Sequence, residues 1–397
     1  MACVCCYFQV HQPPRLRRYS IFDAGAPYFD HEQNRRLLTT IADKSYRPVT
    51  DRLLSLVRQH EGHFKLALSL TGCVLQQMQR DTPELLDNFA ALAETGHVEF
   101  LAETYHHSLA SLYSEEEFRF QVRQQCEAIE QLFGKRPTVF RNTELIYSNQ
   151  LAAQVAAMGD FEGILAEGVD HRLAGRSPNV LYHPPGQANL PLLLKNYRLS
   201  DDIAFRFSDQ SWPGWPMTAE TFADAIDQLD EQTGIVNLFM DIETFGEHQG
   251  AETGIFDFLE ALPGELLRRG HTFTTPAEAF HTFTPQGEYD VPDGISWADS
   301  ERDLSAWMSN AMQTSALQSL FELEQPVKAT GDSELLADWR FLTTSDHFYY
   351  MCTKAFEDQA VHRYFNPYES PYDAYINFMN VLDDMRLRVS DRRPAAT

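Results

Sequence analysis

The segment CVCCYFQV at residues 3–10 decides the fold class, because it is a mostly apolar run followed at once by His11-Gln12-Pro13. Its hydrophobic residues do not alternate with polar ones, which is typical of a parallel strand covered on both faces. The segment IVNLFMD at residues 235–241 has the same character and ends in Asp241. Both segments therefore predict parallel strands of an α/β protein.

Similar short runs alternate with amphipathic segments through the first part of the chain. Further strands are predicted at residues 64–70, 98–102, 138–143, 163–167 and 203–207, while 190–194 is ambiguous. Helical periodicity covers residues 34–60, 84–94, 115–133 and 220–231. Such alternation indicates a closed barrel or an open doubly wound sheet. Because no glycine-rich phosphate-binding loop follows any of these strands, the nucleotide-binding open sheets lose support and the barrel is preferred.

The pattern changes after Pro285, where QGEYDVPDGISW has the composition of a linker or loop. Beyond it, residues 303–323, 334–343 and 372–387 have helical periodicity. We therefore predict a barrel at residues 1–285, a helical region at 286–390 packed on it, and a disordered tail at 391–397.

Charge and composition restrict the partners. The chain of 397 residues has 32 Lys and Arg against 57 Asp and Glu, a net charge of −25. Such a surface repels nucleic acid and anionic membranes, whereas a neutral substrate meets no such penalty. The start of the sequence lacks the features of a signal peptide, which predicts a cytoplasmic location. The six cysteines are predicted to be buried thiols rather than disulfides or metal ligands.

Polar side chains gather where the predicted strands end, which in a parallel barrel is the face that carries the active site. His11 and Gln12 follow the first strand, Glu144 follows the fourth, and Asp241 and Glu243 end the seventh. Carboxylates, amides, histidines and nearby tryptophans are the groups that a sugar site uses.

Each of these groups also has a plainer interpretation. His11 is as readily a core histidine, and Glu144 with Arg141 an ordinary ion pair. Asp241 and Glu243 with histidines such as His248 keep a metal site open, although no His-Glu-x-x-His pattern is present. On balance we predict neither a metal nor a cofactor.

The order of five motifs resembles glycoside hydrolase family 57, over nearly the whole chain. The motifs are His11-Gln12-Pro13, Gly96-His97-Val98-Glu99, FRNTELIY around Glu144, FMDIETFGEH around Asp241, and Thr344-Ser345-Asp346-His347-Phe348. His97 stands where the family usually has Gln or Asn. FRNTELIY, LSDDIAFRFS and TSDHFYYM most resemble the α-amylase members.

This resemblance implies an incomplete (β/α)7 catalytic barrel at residues 1–285 and a retaining mechanism. It also implies that the C-terminal helical region at 286–390 packs against the barrel and contributes to the active-site cleft. It places the nucleophile on Glu144 and the general acid/base on Asp241. Arg141 is a candidate for keeping Glu144 ionised. Burial, or the nearby carboxyl groups of Glu144 and Glu243, would raise the pKa of Asp241. The candidate substrate-binding residues are His11, Gln12, Glu99, Arg141, Trp212, Trp215, Glu243, Phe245, Asp346 and His347.

The predicted function is hydrolysis of α-1,4-glucosidic bonds in an α-glucan or maltooligosaccharide. Three alternatives stay open from the sequence. One is 4-α-glucanotransfer or branching, in which an acceptor sugar replaces water at the glycosyl-enzyme. Another is a protein that binds α-glucan without turning it over. The third is a metal-dependent carbohydrate deacetylase or mannosidase on a related barrel. The sequence does not distinguish oligomeric states.

Overall fold

Parallel strands form the centre of the molecule, as the apolar runs predict. A computed structural model describes residues 1–230, 234–354 and 366–392. Within these residues the strands are β1 (Cys3–Val10), β2 (Leu66–Leu70), β3 (Val98–Phe100), β4 (Val139–Arg141), β5 (Gly163–Glu167), β6 (Leu192–Lys195), β7 (Ile235–Asp241), β8 (Phe245–Gly246), β9 (Gln249–Gly250) and β10 (Thr272–Phe273). One sheet has β1 paired with β2, β7 and β10, and β2 paired with β3. A second sheet has the order β4-β5-β6, and every pairing in both sheets is parallel.

Backbone hydrogen bonds connect the two sheets at both edges. Ala102, just after β3, forms a parallel bridge with Phe140 of β4. At the other edge the Asn196 N–H donates to the Asn237 carbonyl of β7 at 2.9 Å. The Asn237 side chain in turn donates to the Leu194 carbonyl of β6 at 2.8 Å. The fold is therefore α/β with connected parallel sheets, which confirms the predicted class.

Helices follow most of the strands and cover the sheets. In the described residues they are α1 (His31–Ile41), α2 (Arg47–Gln59), α3 (Gly72–Asp81), α4 (Glu84–Glu94), α5 (Ala110–Tyr113), α6 (Glu115–Phe133), α7 (Asn149–Met158), α8 (Asp170–Leu173), α9 (Tyr197–Asp201), α10 (Ala219–Asp227), α11 (Ile255–Arg268), α12 (Pro276–Thr282), α13 (Ser305–Met308), α14 (Ala311–Glu322), α15 (Glu324–Thr330), α16 (Ser333–Leu342), α17 (Ser345–Tyr349) and α18 (Pro371–Arg392). None of the described helices is long and apolar enough to cross a membrane. The cytoplasmic location stays a prediction.

Strand β1 shows why its sequence lacks alternation. Val4, Cys6 and Phe8 belong to the apolar cluster shared with the covering helices. Cys5 and Tyr7 point to the opposite face and belong to a second cluster lined by the other strands. Because both faces are buried, both sets of positions must be apolar. All six cysteines are free thiols; five of them are buried as predicted, and Cys3 is half-buried.

Several of the predicted elements differ from the structure, among them the helix predicted at 34–60, which a π-helical turn at Ala42–Tyr46 divides. The strand predicted at 203–207 is wrong, since Asp202–Arg206 forms a π-helical turn that continues α9. Asn196 caps α9 by accepting the Leu199 N–H at 3.2 Å, so the chain is already helical when it reaches these apolar residues. The ambiguous run at 190–194 overlaps β6, which covers Leu192–Lys195. Likewise the helix predicted at 220–231 ends at Asp227, and residues 231–233 lie outside the described ones.

The C-terminal helices α13 to α18 form their own apolar cluster with the segment after β1, through residues such as Tyr28 and Trp339. The stretch interpreted as a linker is firmly attached, because Tyr289 and Val291 are buried and Ile295 forms a bridge with Tyr147. Helix α18 extends to Arg392, two residues into the predicted tail, and residues 393–397 lie outside the described ones. The division into domains stays a prediction.

Candidate active site

A cleft of about 530 Å³ opens where the strands of the connected sheets end. Residues that follow β1, β4 and β7 line one side of it. The C-terminal helices supply the other side, through Asp346, Tyr349 and Tyr350. Of the predicted site residues, the cleft is lined by His11, Gln12, Glu144, Asp241, Glu243 and Asp346. Six side chains from four separate parts of the sequence are thus brought to one surface.

Glu144 lies in a tight turn just after β4, with a left-handed backbone at φ +56°. Such a conformation costs a non-glycine residue about 1–3 kcal/mol and persists only where the surroundings fix it. Its backbone carbonyl accepts the Ser296 hydroxyl at 3.0 Å and the Trp297 N–H at 3.2 Å. The turn therefore presents the carboxyl group of Glu144 to the cleft.

Three donors hold the Glu144 carboxylate. Oε1 accepts from His107 Nε2 and from Ser345 Oγ, each at 3.2 Å, and Oε2 accepts from Trp297 Nε1 at 2.9 Å. Burial alone would raise the pKa of Glu144, but the hydrogen bond and charge of His107, aided by Trp297, lower it below its ordinary value. The group is therefore an ionised carboxylate in a fixed orientation.

Arg141, which the sequence suggested as the partner of Glu144, lies beneath the cleft instead. Its Nη1 is 3.4 Å from Glu103 Oε2, and both side chains are fully buried. The guanidinium lies 4.9 Å from the centre of the Trp297 ring. The hydrogen bonds therefore correct the prediction, because the cation beside Glu144 is His107.

Asp241 ends β7, and its carboxyl has the opposite electrostatic setting from Glu144. Burial and the negative charge of Glu144 raise the pKa of Asp241 above its usual range. Glu243 follows in the next turn and accepts hydrogen bonds from Gln12 Nε2, at 3.3 Å, and from the Tyr46 hydroxyl. Burial and the charge of Asp241 raise the pKa of Glu243 as well.

His11 and Asp346 form a second carboxylate–imidazole pair in the cleft. His11 Nε2 is 3.0 Å from Asp346 Oδ2, and Nδ1 is 2.9 Å from Thr71 Oγ1. The His11 ring stacks on that of His107 with centroids 4.0 Å apart. Burial and the charge of His107 lower the pKa of His11. Although burial opposes it, the contact with His11 keeps the pKa of Asp346 well below its usual range.

Four other predicted residues lie away from the cleft lining. Glu99 Oε2 accepts the Ala277 N–H at 3.0 Å, at the start of α12, and burial raises the pKa of Glu99 to about 7. Phe245 packs edge-to-face on Phe8 in the core. His347 is buried against Phe378. Trp212 packs on the apolar cluster that β1 shares with the covering helices. These four side chains therefore make the contacts described here outside the cleft lining, and their part in substrate binding stays a prediction.

Trp215, the last of the predicted residues, is 45% exposed and also lies outside the cleft lining. It belongs to the SWPGWP segment that suggested a stacking surface near the cleft. The aromatic rings that line the cleft come from elsewhere in the chain, namely Phe205, Phe239, Trp297, Trp307, Tyr349 and Tyr350.

The structure adds residues that the sequence did not single out for the site. Trp297 lies in the stretch interpreted as a linker, 153 residues from its partner Glu144. Arg302 bonds Glu167 and Asp201 at 3.1 and 2.8 Å, and Lys195 bonds Asp201 at 3.2 Å, so the cations of this wall are neutralised. His107 is part of the pair His106-His107, which follows the third predicted strand. That pair was the one local signal for any of them.

In the described residues, one group of three possible metal ligands lies within 4.8 Å of one another: Asp299, Glu301 and Asp303. Glu301 and Asp303 are exposed, and Glu301 pairs with Lys354 at 2.6 Å. Exposed acidic groups of this kind are common without an ion. The prediction of a site that works without metal stays a prediction.

Comparisons with known proteins agree on a family. The sequence profile described as Glycosyl hydrolase family 57 matches residues 5–292. A protein of Methanocaldococcus jannaschii described as "Putative alpha-amylase" is 37% identical over 399 residues, covering 97% of this chain and 84% of the relative.

Solved structures share the fold at low identity. The GH57-type branching enzyme of Pyrococcus horikoshii has a TM-score of 0.70 at 14% identity, covering 96% of this chain and 88% of that one. The 4-alpha-glucanotransferase of Thermococcus litoralis has a TM-score of 0.61 at 15% identity, covering 96% of this chain. This chain spans 59% of the length of the glucanotransferase.

Proposed function

The chain belongs to glycosyl hydrolase family 57, and from that premise we propose that it hydrolyses α-1,4-glucosidic bonds in α-glucans with retention of configuration. Glu144 is the proposed nucleophile and Asp241 the proposed general acid/base. One observation carries this assignment. The two carboxyl groups line one cleft, and their surroundings move their pKa values in opposite directions. Opposite shifts of this kind distinguish a nucleophile from an acid.

The chemistry follows from these two states. The Glu144 carboxylate attacks the anomeric carbon while protonated Asp241 gives its proton to the leaving oxygen, so that a glycosyl-enzyme forms. Esterification removes the Glu144 charge, which is one cause of the raised pKa of Asp241. The pKa of Asp241 then falls, and its carboxylate takes a proton from the water that attacks the intermediate.

The wider architecture suits this reaction. We infer an incomplete (β/α)7 barrel at residues 1–285 with the region 286–390 packed against its mouth, supported by the hydrogen bonds that connect the two sheets. Aromatic rings and hydrogen-bonding side chains on both walls of the cleft suit the faces and hydroxyls of glucose units. An α-glucan or maltooligosaccharide is the proposed substrate.

The test has two parts, and the first is the product profile from maltoheptaose. Shorter oligosaccharides with new reducing ends support hydrolysis. Products both longer and shorter than the substrate would replace it with glucan transfer. Binding of maltoheptaose by the wild type without any products would leave a glucan-binding protein.

The second part assigns the two carboxyl groups by azide rescue with α-maltosyl fluoride, whose leaving group needs no proton. Glu144→Gly keeps the left-handed backbone and opens the nucleophile's place, so azide should give the β-maltosyl azide. Asp241→Gly should form the glycosyl-enzyme and give the α-maltosyl azide. Glu94→Gln, an exposed carboxyl on α4, is the control and should behave as wild type. Azide products of the reverse configuration would overturn the assignment.

A further inference from the structure

We propose that His107 is a positioning residue for Glu144, and that it acts as a buried cation between Glu144 and Glu103. The inference rests on the proposed function, because it concerns how the proposed nucleophile is kept ionised and aligned. Glu103 bonds His107, which in turn bonds Glu144, so the proposal gives a part in the reaction to a carboxylate that lies outside the cleft lining.

The geometry requires His107 to be doubly protonated. Nδ1 is 3.1 Å from Glu103 Oε2, and Nε2 is 3.2 Å from Glu144 Oε1. A carboxylate only accepts hydrogen bonds, so an imidazole between two carboxylates must donate from both nitrogens, which makes it a cation. The His107 side chain is 3% exposed, and its backbone is left-handed at φ +50°. In agreement, these hydrogen bonds and charges outweigh burial and raise the pKa of His107 to about 9.

The hydrogen-bond donors and cations around Glu103 keep its carboxyl group ionised. Its Oε1 accepts from Gln9 Nε2 at 3.0 Å and from the Ser69 hydroxyl, while Oε2 faces Arg141 and His107. Although burial opposes it, these partners lower the pKa of Glu103 to about 2. The two anions Glu103 and Glu144 and the two cations His107 and Arg141 therefore balance, which offsets the cost of burying four charges.

The remaining groups around His107 do not supply its role. His11 stacks on it, and its pKa is lowered by burial and by His107, which favours a neutral ring. Asp346 is bonded to His11 Nε2 at 3.0 Å. Asp241 also lines the cleft, but a carboxyl group cannot supply a positive charge. His107 is thus the cationic donor that contacts the Glu144 carboxylate directly.

The charge balance affects both halves of the reaction. When Glu144 forms the ester bond to the anomeric carbon, the glycosidic bond breaks and the leaving oxygen takes the Asp241 proton, so the cluster becomes one charge positive. When water attacks, its proton goes to Asp241, the ester bond breaks, and its electron pair returns to Glu144. The His107 cation favours that return. Loss of the cation should therefore slow breakdown of the glycosyl-enzyme.

The experiment compares His107→Gln with His106→Gln. His106 is the adjacent buried histidine, which lies outside the cleft lining and whose pKa burial lowers to about 3. With maltoheptaose, His107→Gln should move the acid limb of kcat/KM to higher pH by about 1–3 units, as expected when a nearby opposite charge is removed. His106→Gln should leave the limb in place. A His107→Gln enzyme that loses activity equally at every pH would overturn the proposal.

Two further variants cover the case in which His107→Gln folds poorly. His107→Gly suits the left-handed backbone and leaves a cavity, so protonated imidazole should restore activity and return the acid limb. Glu103→Gln should shift the limb in the same direction as His107→Gln. Absence of both effects in folded variants would refute the role. Since azide rescue tests Glu144 independently, normal azide products without the pH shift would refute this inference alone.

Discussion

Replacing Trp297 with phenylalanine removes one donor from the proposed nucleophile and little else. Nε1 donates to Glu144 Oε2 at 2.9 Å, and this bond is lost. A phenyl ring keeps the contacts with Arg141 and Lys195, whose charged groups lie 4.9 and 5.3 Å from the centre of the indole ring. The backbone bond from Trp297 to the Glu144 carbonyl, at 3.2 Å, is also kept.

The expected effect can be estimated from that single bond. A hydrogen bond to a charged group contributes about 1.5–3 kcal/mol. Because about 1.4 kcal/mol corresponds to a factor of ten, kcat/KM should fall by about 10- to 100-fold at pH values where Glu144 begins to protonate. The donor favours the ionised carboxyl, so its loss raises the pKa of Glu144 by about 1–2 units. Because the pKa of Glu144 is lowered in the folded protein, the hydrogen bond from Trp297 stabilises the ionised carboxylate, and this stabilisation is lost as the pH falls through that pKa.

The assay is kcat/KM for maltoheptaose as a function of pH, together with urea unfolding. Trp339→Phe is the matched control, because Trp339 Nε1 donates at the same 2.9 Å, but to the Leu320 carbonyl in the helical region. The control should lose stability and keep the wild-type pH profile. If Trp297→Phe also kept the wild-type profile and rate, the indole would not control the charge of Glu144 and the reasoning would be refuted.

Three further predictions concern buried groups. Glu243→Gln should keep kcat/KM within about threefold near neutral pH, because burial above all raises the pKa of Glu243 to about 8 and keeps it protonated; a loss above about tenfold would indicate an ionised role. Glu99 has a raised native pKa of about 7, so it ionises first in the unfolded chain and destabilises the fold as pH rises from about 4.5 to 7. Melting temperatures of Glu99→Gln should therefore fall less than those of wild type over that range, and parallel curves would contradict this. Phe140→Ala should lower the free energy of unfolding by about 3–5 kcal/mol in urea titrations, because the ring is fully buried between Phe118 and Phe161; a loss below about 1 kcal/mol would contradict the packing.

Side chains at strand ends were the predictable part of the site. The carboxyl ends of parallel strands meet at one edge, so residues such as His11, Glu144 and Asp241 converge once the strands are recognised. Prediction from the sequence was weaker where a side chain turned out to be buried in the core, or where a preceding helix continued into an apolar run. Phe245 joined the core, and the apolar run 203–207 became a π-helical turn because the preceding residues were already helical.

The sequence by itself determined the class of fold, the family and the two proposed catalytic carboxyls, because strand patterning and short motifs are local properties. Only the tertiary structure decided what surrounds those carboxyls. His107 binds Glu144 across 37 residues and Trp297 across 153, while Arg141, three positions from Glu144, contacts Glu103 instead. The charge state of a buried carboxyl depends on the donors within hydrogen-bond distance of it. Distance along the sequence does not show which residues those donors are.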